Sequence, residues 1–108
     1  MRALILVDLQ YDFMPGGSLA VPEGDQVVQV ANELMSDFDL VVATQDWHPA
    51  GHSSFASAHA GKAPYEMMDM PYGPQVLWPD HCIQGAKGAG FHPVLETDRA
   101  DLIIRKGY

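Results

Sequence analysis

Cysteine is almost absent: of 108 residues, Cys82 alone carries a thiol. That excludes an internal disulfide framework and fits a reducing, cytoplasmic setting. Positive charge is scarce too. Six Lys and Arg against 14 Asp and Glu leave a formal net charge of −8, so the basic surplus that neutralises phosphates is missing and no nucleic-acid partner is expected. No apolar run approaches the roughly 20 residues that cross a bilayer, so no membrane role is expected either. The run Ala3-Leu4-Ile5-Leu6-Val7 after Met1-Arg2 is too short for a signal-peptide core and lacks a small-residue cleavage site. Internal repeats and low-complexity tracts are also missing.

What remains is 47% apolar and 19% charged, the balance of a soluble globular chain, and its length fits one domain. Residues 3–7 form an unbroken aliphatic run ending at Asp8; residues 40–43, Leu-Val-Val-Ala, repeat it ahead of Thr44-Gln45-Asp46; and Leu102-Ile103-Ile104 stops two residues before Lys106. Runs without polar alternation predict strands buried on both faces of a parallel sheet. Between the first two, Val27, Val30, Ala31 and Leu34 recur at helical spacing, with Pro22, Glu23 and Asp25 crowding the helix start. The beginning therefore reads as β-α-β, a right-handed crossover that makes the two strands parallel and puts their carboxyl ends on one edge. Residues 45–93 hold most of the Gly and Pro and all five histidines with little periodicity, and read as a long functional loop region. One crossover helix cannot cover both faces of a sheet, so about half of a doubly wound sheet is expected in these residues.

Ligands of open α/β sheets bind beyond the carboxyl ends of the strands. Asp8, Asp46 and Lys106 follow the three strands, so they should converge on one rim, although any single Asp there can equally cap a helix or make a turn. The stretch Gln45-Asp46-Trp47-His48-Pro49-Ala50-Gly51-His52-Ser53-Ser54-Phe55 puts Asp46 and His48 on one side of an extended chain, where both reach one cation. His52 can join them, and His81 in Trp78-Pro79-Asp80-His81-Cys82 is the best further ligand. Asp and His donors with open positions suit Zn²⁺, Fe²⁺ or Mn²⁺ in a catalytic role. His59 and His92 read as exposed loop residues, and Cys82 as a core thiol, because it follows a ligand and should point away. Phe13, the Gly16-Gly17-Ser18-Leu19-Ala20-Val21 stretch and Trp78 surround the same rim and can wall a small-molecule pocket, with core packing an equal reading for Leu19 and Val21.

Several motifs occur together and in order. They are Val7-Asp8-Leu9-Gln10-Tyr11-Asp12-Phe13 with Gly16-Gly17-Ser18-Leu19, Asp46-Trp47-His48-Pro49 leading to His52 and Ser54-Phe55, Trp78-Pro79-Asp80-His81-Cys82, and Lys106-Gly107. The combination resembles the nicotinamidase family of the isochorismatase-like hydrolases along the whole chain. The resemblance implies an α/β fold, an isochorismatase-like (Rossmann-like) doubly wound parallel sheet, with residues 1–108 the N-terminal part of a single hydrolase domain. It also implies hydrolysis of nicotinamide to nicotinate and ammonia in NAD salvage, by an Asp-Lys-Cys triad beside a divalent metal, Zn²⁺ first. Asp8 and Lys106 match the triad's acid and cation. Asp46, His48 and His81 match the metal ligands, with His52 ligating directly or through water, and Phe13, Trp78 and Leu19 are expected to pack the substrate ring. The family's nucleophilic cysteine lies on a Gly-x-x-x-Asp-x-Cys segment that residues 1–108 do not contain, and Cys82 matches a non-catalytic position. The 108 residues alone are therefore expected to be inactive. A related amidohydrolase acting on another small amide, or a non-catalytic metal-binding fragment, are the alternatives, and oligomeric state stays open.

Overall fold

Aliphatic and β-branched residues in unbroken runs favour extended backbone, and a computed structural model describing all of residues 1–108 forms strands at each of the three runs. In chain order the elements are β1 (Ala3–Val7), α1 (Gln26–Leu34), β2 (Leu40–Asp46), β3 (Met67–Met70), β4 (Gly73–Val76) and β5 (Leu102–Lys106), with short 3-10 turns between them. The main sheet has the order β1-β2-β5. Both pairings are parallel, from Ala3↔Leu40 to Val7↔Thr44 and from Val42↔Leu102 to Asp46↔Lys106. β2 and β5 run further than their apolar cores, so Asp46 and Lys106 are the last residues of their strands and direct ladder partners. Pairing between β2 and β5, beyond Val7 where β1 leaves the sheet, carries both strands past the point where their hydrophobicity ends, and a polar tail is no obstacle at the carboxyl rim.

Three expectations need correction. The sheet is covered on one face only. Leu6, Val41 and Ala43 pack with Leu9, Met14, Val28, Ala31, Met35 and Leu95 into one core, whereas Ile5 and Val7 are each 61% exposed and β5 is exposed throughout. The apolar run marks strands correctly, but these residues supply helical cover to one side alone. The helix also turns a different face inward: Val28, Ala31 and Asn32 are buried and Met35 continues that face, while Val27, Val30 and Leu34 lie outside. Two apolar stripes share Ala31, and periodicity cannot tell which of them meets the sheet. Residues 45–93 are more than loop, because β3 and β4 pair as an antiparallel hairpin with Met67 opposite Val76.

Two isolated parallel bridges organise the rest of that region, His48 with Ile83 and Phe55 with Trp78. The His48 N–H donates to the Cys82 carbonyl at 2.9 Å and Gln84 N–H returns to the His48 carbonyl at 2.8 Å. His81 is thereby carried to the end of β2, although 33 residues of sequence separate it from His48.

Candidate active site and metal centre

The strand register brings the first charges together. Asp46 and Lys106 are paired residues on neighbouring strands, so their side chains rise on the same face and the Lys106 ammonium donates to Asp46 Oδ1. Regular alternation would send Asp8 to the face of Leu6. Its φ of +56° breaks that alternation, a left-handed conformation costly for a non-glycine residue. The carboxylate instead accepts from Thr44 Oγ1 at 2.7 Å and from Lys106 Nζ at 2.8 Å. Burial pulls the Lys106 ammonium down, but the hydrogen bonds and charges of Asp46 and Asp8 outweigh it and hold the group above its ordinary value. With 45% of its side chain exposed, Lys106 adds little to stability; its position matters more for chemistry.

Beside this network stand the imidazoles. His48 Nδ1 lies 2.6 Å from the Gly107 carbonyl and His81 Nδ1 2.8 Å from the Pro79 carbonyl. Each ring thus gives its Nδ1 hydrogen to the backbone and frees Nε2, the arrangement that orients a ligating histidine. The two Nε2 atoms face Asp46 Oδ2 at 3.5 and 3.9 Å, and the three donor atoms all lie within 4.8 Å of one another. Donors around a tetrahedral Zn²⁺ at ~2.0–2.1 Å stand about 3.4 Å apart, so this donor set fits a divalent ion. Gly107 lies tight against the His48 ring: at φ +79°, an added Cβ would come within 2.6 Å of His48 Cε1. His52 lies outside the three-donor group. Its ring centroid is 4.6 Å from that of His48, and its Nδ1 is 2.7 Å from Ser54 Oγ. Phe55, fully buried, packs its ring against His48, His52 and His81 with centroids 5.4, 5.7 and 5.3 Å away.

The aromatic and apolar candidates are spread more widely. Half-buried Phe13 sits with its ring centroid 5.7 Å from that of His81. It also lines a cavity of about 580 Å³ together with Asp8, Leu9, Val21 and Val27. Leu19 and Trp78 lie outside that lining; Trp78 packs edge-on against Tyr65 at 6.1 Å. Cys82 is fully buried, and burial first, then the charges of Asp12, Asp46 and Asp8, push its thiol up to about 12, which makes it inert as a nucleophile.

Sequence reasoning missed Gln10 and Asp12 as parts of the site, and Thr44 as the partner of Asp8. Gln10 and Asp12 look like solvated turn residues and Thr44 like an ordinary strand residue, and only their hydrogen bonds show otherwise.

Comparison with known proteins shows the family of the chain. Residues 2–107 match the isochorismatase domain family. The chain is 56% identical over 106 residues to a nicotinamidase of Acinetobacter baylyi, covering 98% of this chain and 50% of that one. With the nicotinamidase of Escherichia coli it shares 52% over 110 residues, covering 98% and 51%. Among solved structures, a nicotinamidase of Acinetobacter baumanii superposes with a TM-score of 0.94 at 54% identity, covering 97% and 51%. The yeast nicotinamidase bound to the inhibitor nicotinaldehyde gives 0.89 at 34%, covering 100% and 57%. A Pyrococcus horikoshii pyrazinamidase in complex with zinc gives 0.71 at 43%, covering 97% and 51%. The chain thus spans about half the length of the relatives it matches.

Proposed function

The chain belongs to the isochorismatase domain family, and from that membership we propose that residues 1–108 are the N-terminal part of a single hydrolase domain that converts nicotinamide to nicotinate and ammonia in NAD salvage. One observation carries the reading. In a chain 56% identical to a nicotinamidase, the Lys106 ammonium bridges Asp8 to Asp46, whose other oxygen faces both free Nε2 atoms.

In this mechanism Asp8 accepts the proton of a nucleophilic thiol and later hands it to the departing ammonia. Thr44 and Lys106 hold its carboxylate for both transfers. Lys106 favours the thiolate by its charge. Cys82 cannot be that thiol, being buried and held protonated, so the nucleophile comes from outside residues 1–108. Asp46, His48 and His81 would hold a divalent metal, and we assign His52, which stands outside that group, to complete the set directly or through water. Zn²⁺ is the first choice, supported by the zinc in the Pyrococcus relative, and Fe²⁺ or Mn²⁺ suit the same donors. When bound, the metal supplies a Lewis-acidic position for the pyridine nitrogen. Phe13 walls the ring beside His81, and we assign Trp78 and Leu19, which lie outside the cavity that Phe13 lines, to substrate packing from beyond it. Nicotinamide as the small-molecule substrate is supported by the nicotinaldehyde in the yeast relative, and a reducing cytoplasm by the free Cys82 thiol.

The test is ammonia release by the full-length natural protein from a panel of amides. Nicotinamide should be cleaved and benzamide spared, and Asp8→Ala or Lys106→Ala should abolish turnover. Full activity in either variant overturns the triad assignment; equal cleavage of benzamide points to an amidohydrolase of another specificity.

A further inference from the structure

Leaving the ladder at Val7, the chain makes its turn through residues 8–13 and sends two side chains back into the protein. Gln10 is fully buried. Its Nε2 donates to the Asp46 carbonyl at 2.8 Å and to the Ala89 carbonyl at 2.8 Å, while its Oε1 accepts from the Asp46 N–H at 2.9 Å. The amide therefore does for Asp46 what a further residue of β1 would have done, satisfying both its backbone groups after the strand itself has turned away. Two residues on, Asp12 Oδ2 accepts from the Cys82 N–H at 2.7 Å. That bond joins residues 70 apart in sequence, and it fixes Cys82 in a left-handed conformation at φ +48°. Gly88 leaves the room for this carboxylate, because an added Cβ there would collide with it.

Each clamp seizes the backbone of a ligand-bearing segment, Gln10 at Asp46 itself and Asp12 at the residue following His81. We propose that Gln10 and Asp12 are positioning residues that set the spacing between the Asp46 and His81 donors, and so tie the metal cage to the same turn that aims Asp8. The proposal rests on the reading of Asp46, His48 and His81 as metal ligands. Partners of this kind commonly change metal affinity by ~10–100-fold when removed.

The experiment uses the full-length natural protein stripped of metal. It measures Zn²⁺ affinity by chelator competition and donor geometry by the visible spectrum of the Co²⁺-loaded form, with circular dichroism to verify folding. Gln10→Met keeps the volume and removes all three hydrogen bonds; Asp12→Ala removes the other clamp; Asp12→Asn keeps an acceptor for Cys82 N–H. Expected are a loss of Zn²⁺ affinity of about 10-fold or more with an altered Co²⁺ spectrum in Gln10→Met and Asp12→Ala, and affinity restored to near wild type in Asp12→Asn. Wild-type affinity and spectrum in folded Gln10→Met and Asp12→Ala overturn the proposal. So does a failure of both to fold, because the two side chains would then hold the domain and not the cage. His81→Ala separates the premises: if it keeps Zn²⁺, the metal reading falls and this one with it, whereas if it loses Zn²⁺ while both clamp variants keep it, only the clamps are refuted.

Discussion

Among single residues, the informative ones are polar groups whose surroundings deny them their usual behaviour. Cys82 is adjacent to a candidate ligand and chemically silent, because desolvation disfavours its thiolate and three nearby carboxylates disfavour it further. Alkylation by iodoacetamide at pH 8, mapped by peptide mass, should leave Cys82 unmodified in the native protein and label it in guanidinium. Native labelling at the denatured rate would contradict the burial. The sign of the pH effect follows from the same group. An unfolded thiol ionises from about 9, while the folded one keeps its proton to about 12. Stability from this site is therefore whole below 9 and is lost as pH rises through that window. The sequence shows that a thiol follows His81; it does not show that Asp12, 70 residues away, sits against its amide.

Elements meet here through side-chain amides as much as through apolar faces. Asn32, buried on the inner face of α1, donates from Nδ2 to the Val94 carbonyl at 2.9 Å and accepts the Glu96 N–H at 2.9 Å. Arg99 in turn donates to the Asn32 carbonyl at 3.0 Å. The helix is thus stapled to the segment that leads into β5, and β5 carries Lys106. Asn32→Ala should lower the stability of the protein by about 1–3 kcal/mol, since it orphans one carbonyl and one amide, as measured by urea unfolding. An effect below about 0.5 kcal/mol, the range of ordinary surface substitutions, would show the staple to be idle. Helical spacing in residues 27–34 was legible, but the inward face was not. An Asn reads as surface until its two partners are known.

For the whole molecule, shape is the telling property. The radius of gyration is 15.4 Å, against about 13 Å for a compact domain of this length, and the extents of 48 × 28 × 22 Å describe an elongated body. Its sheet leaves Ile5, Val7, Leu102 and Ile104 exposed, a contiguous apolar face of the kind that drives association. Expressed as residues 1–108 alone, the chain should bind the dye ANS, self-associate in sedimentation and release no ammonia from nicotinamide. A monodisperse, dye-silent monomer would show that the exposed face is tolerated. By itself the sequence determined the three parallel strand segments, the helix between the first two, and the residue types able to supply a triad acid, a cation and a metal cage, because hydrophobic runs and donor chemistry are local properties. Only the tertiary structure decided that Asp46 and Lys106 share a ladder rung, that Asp8 abandons strand alternation to join them, and that His81 crosses over to His48 while His52 stands apart. Those outcomes depend on register, a left-handed backbone turn and buried amide clamps, all of them contacts between segments that lie far apart along the chain.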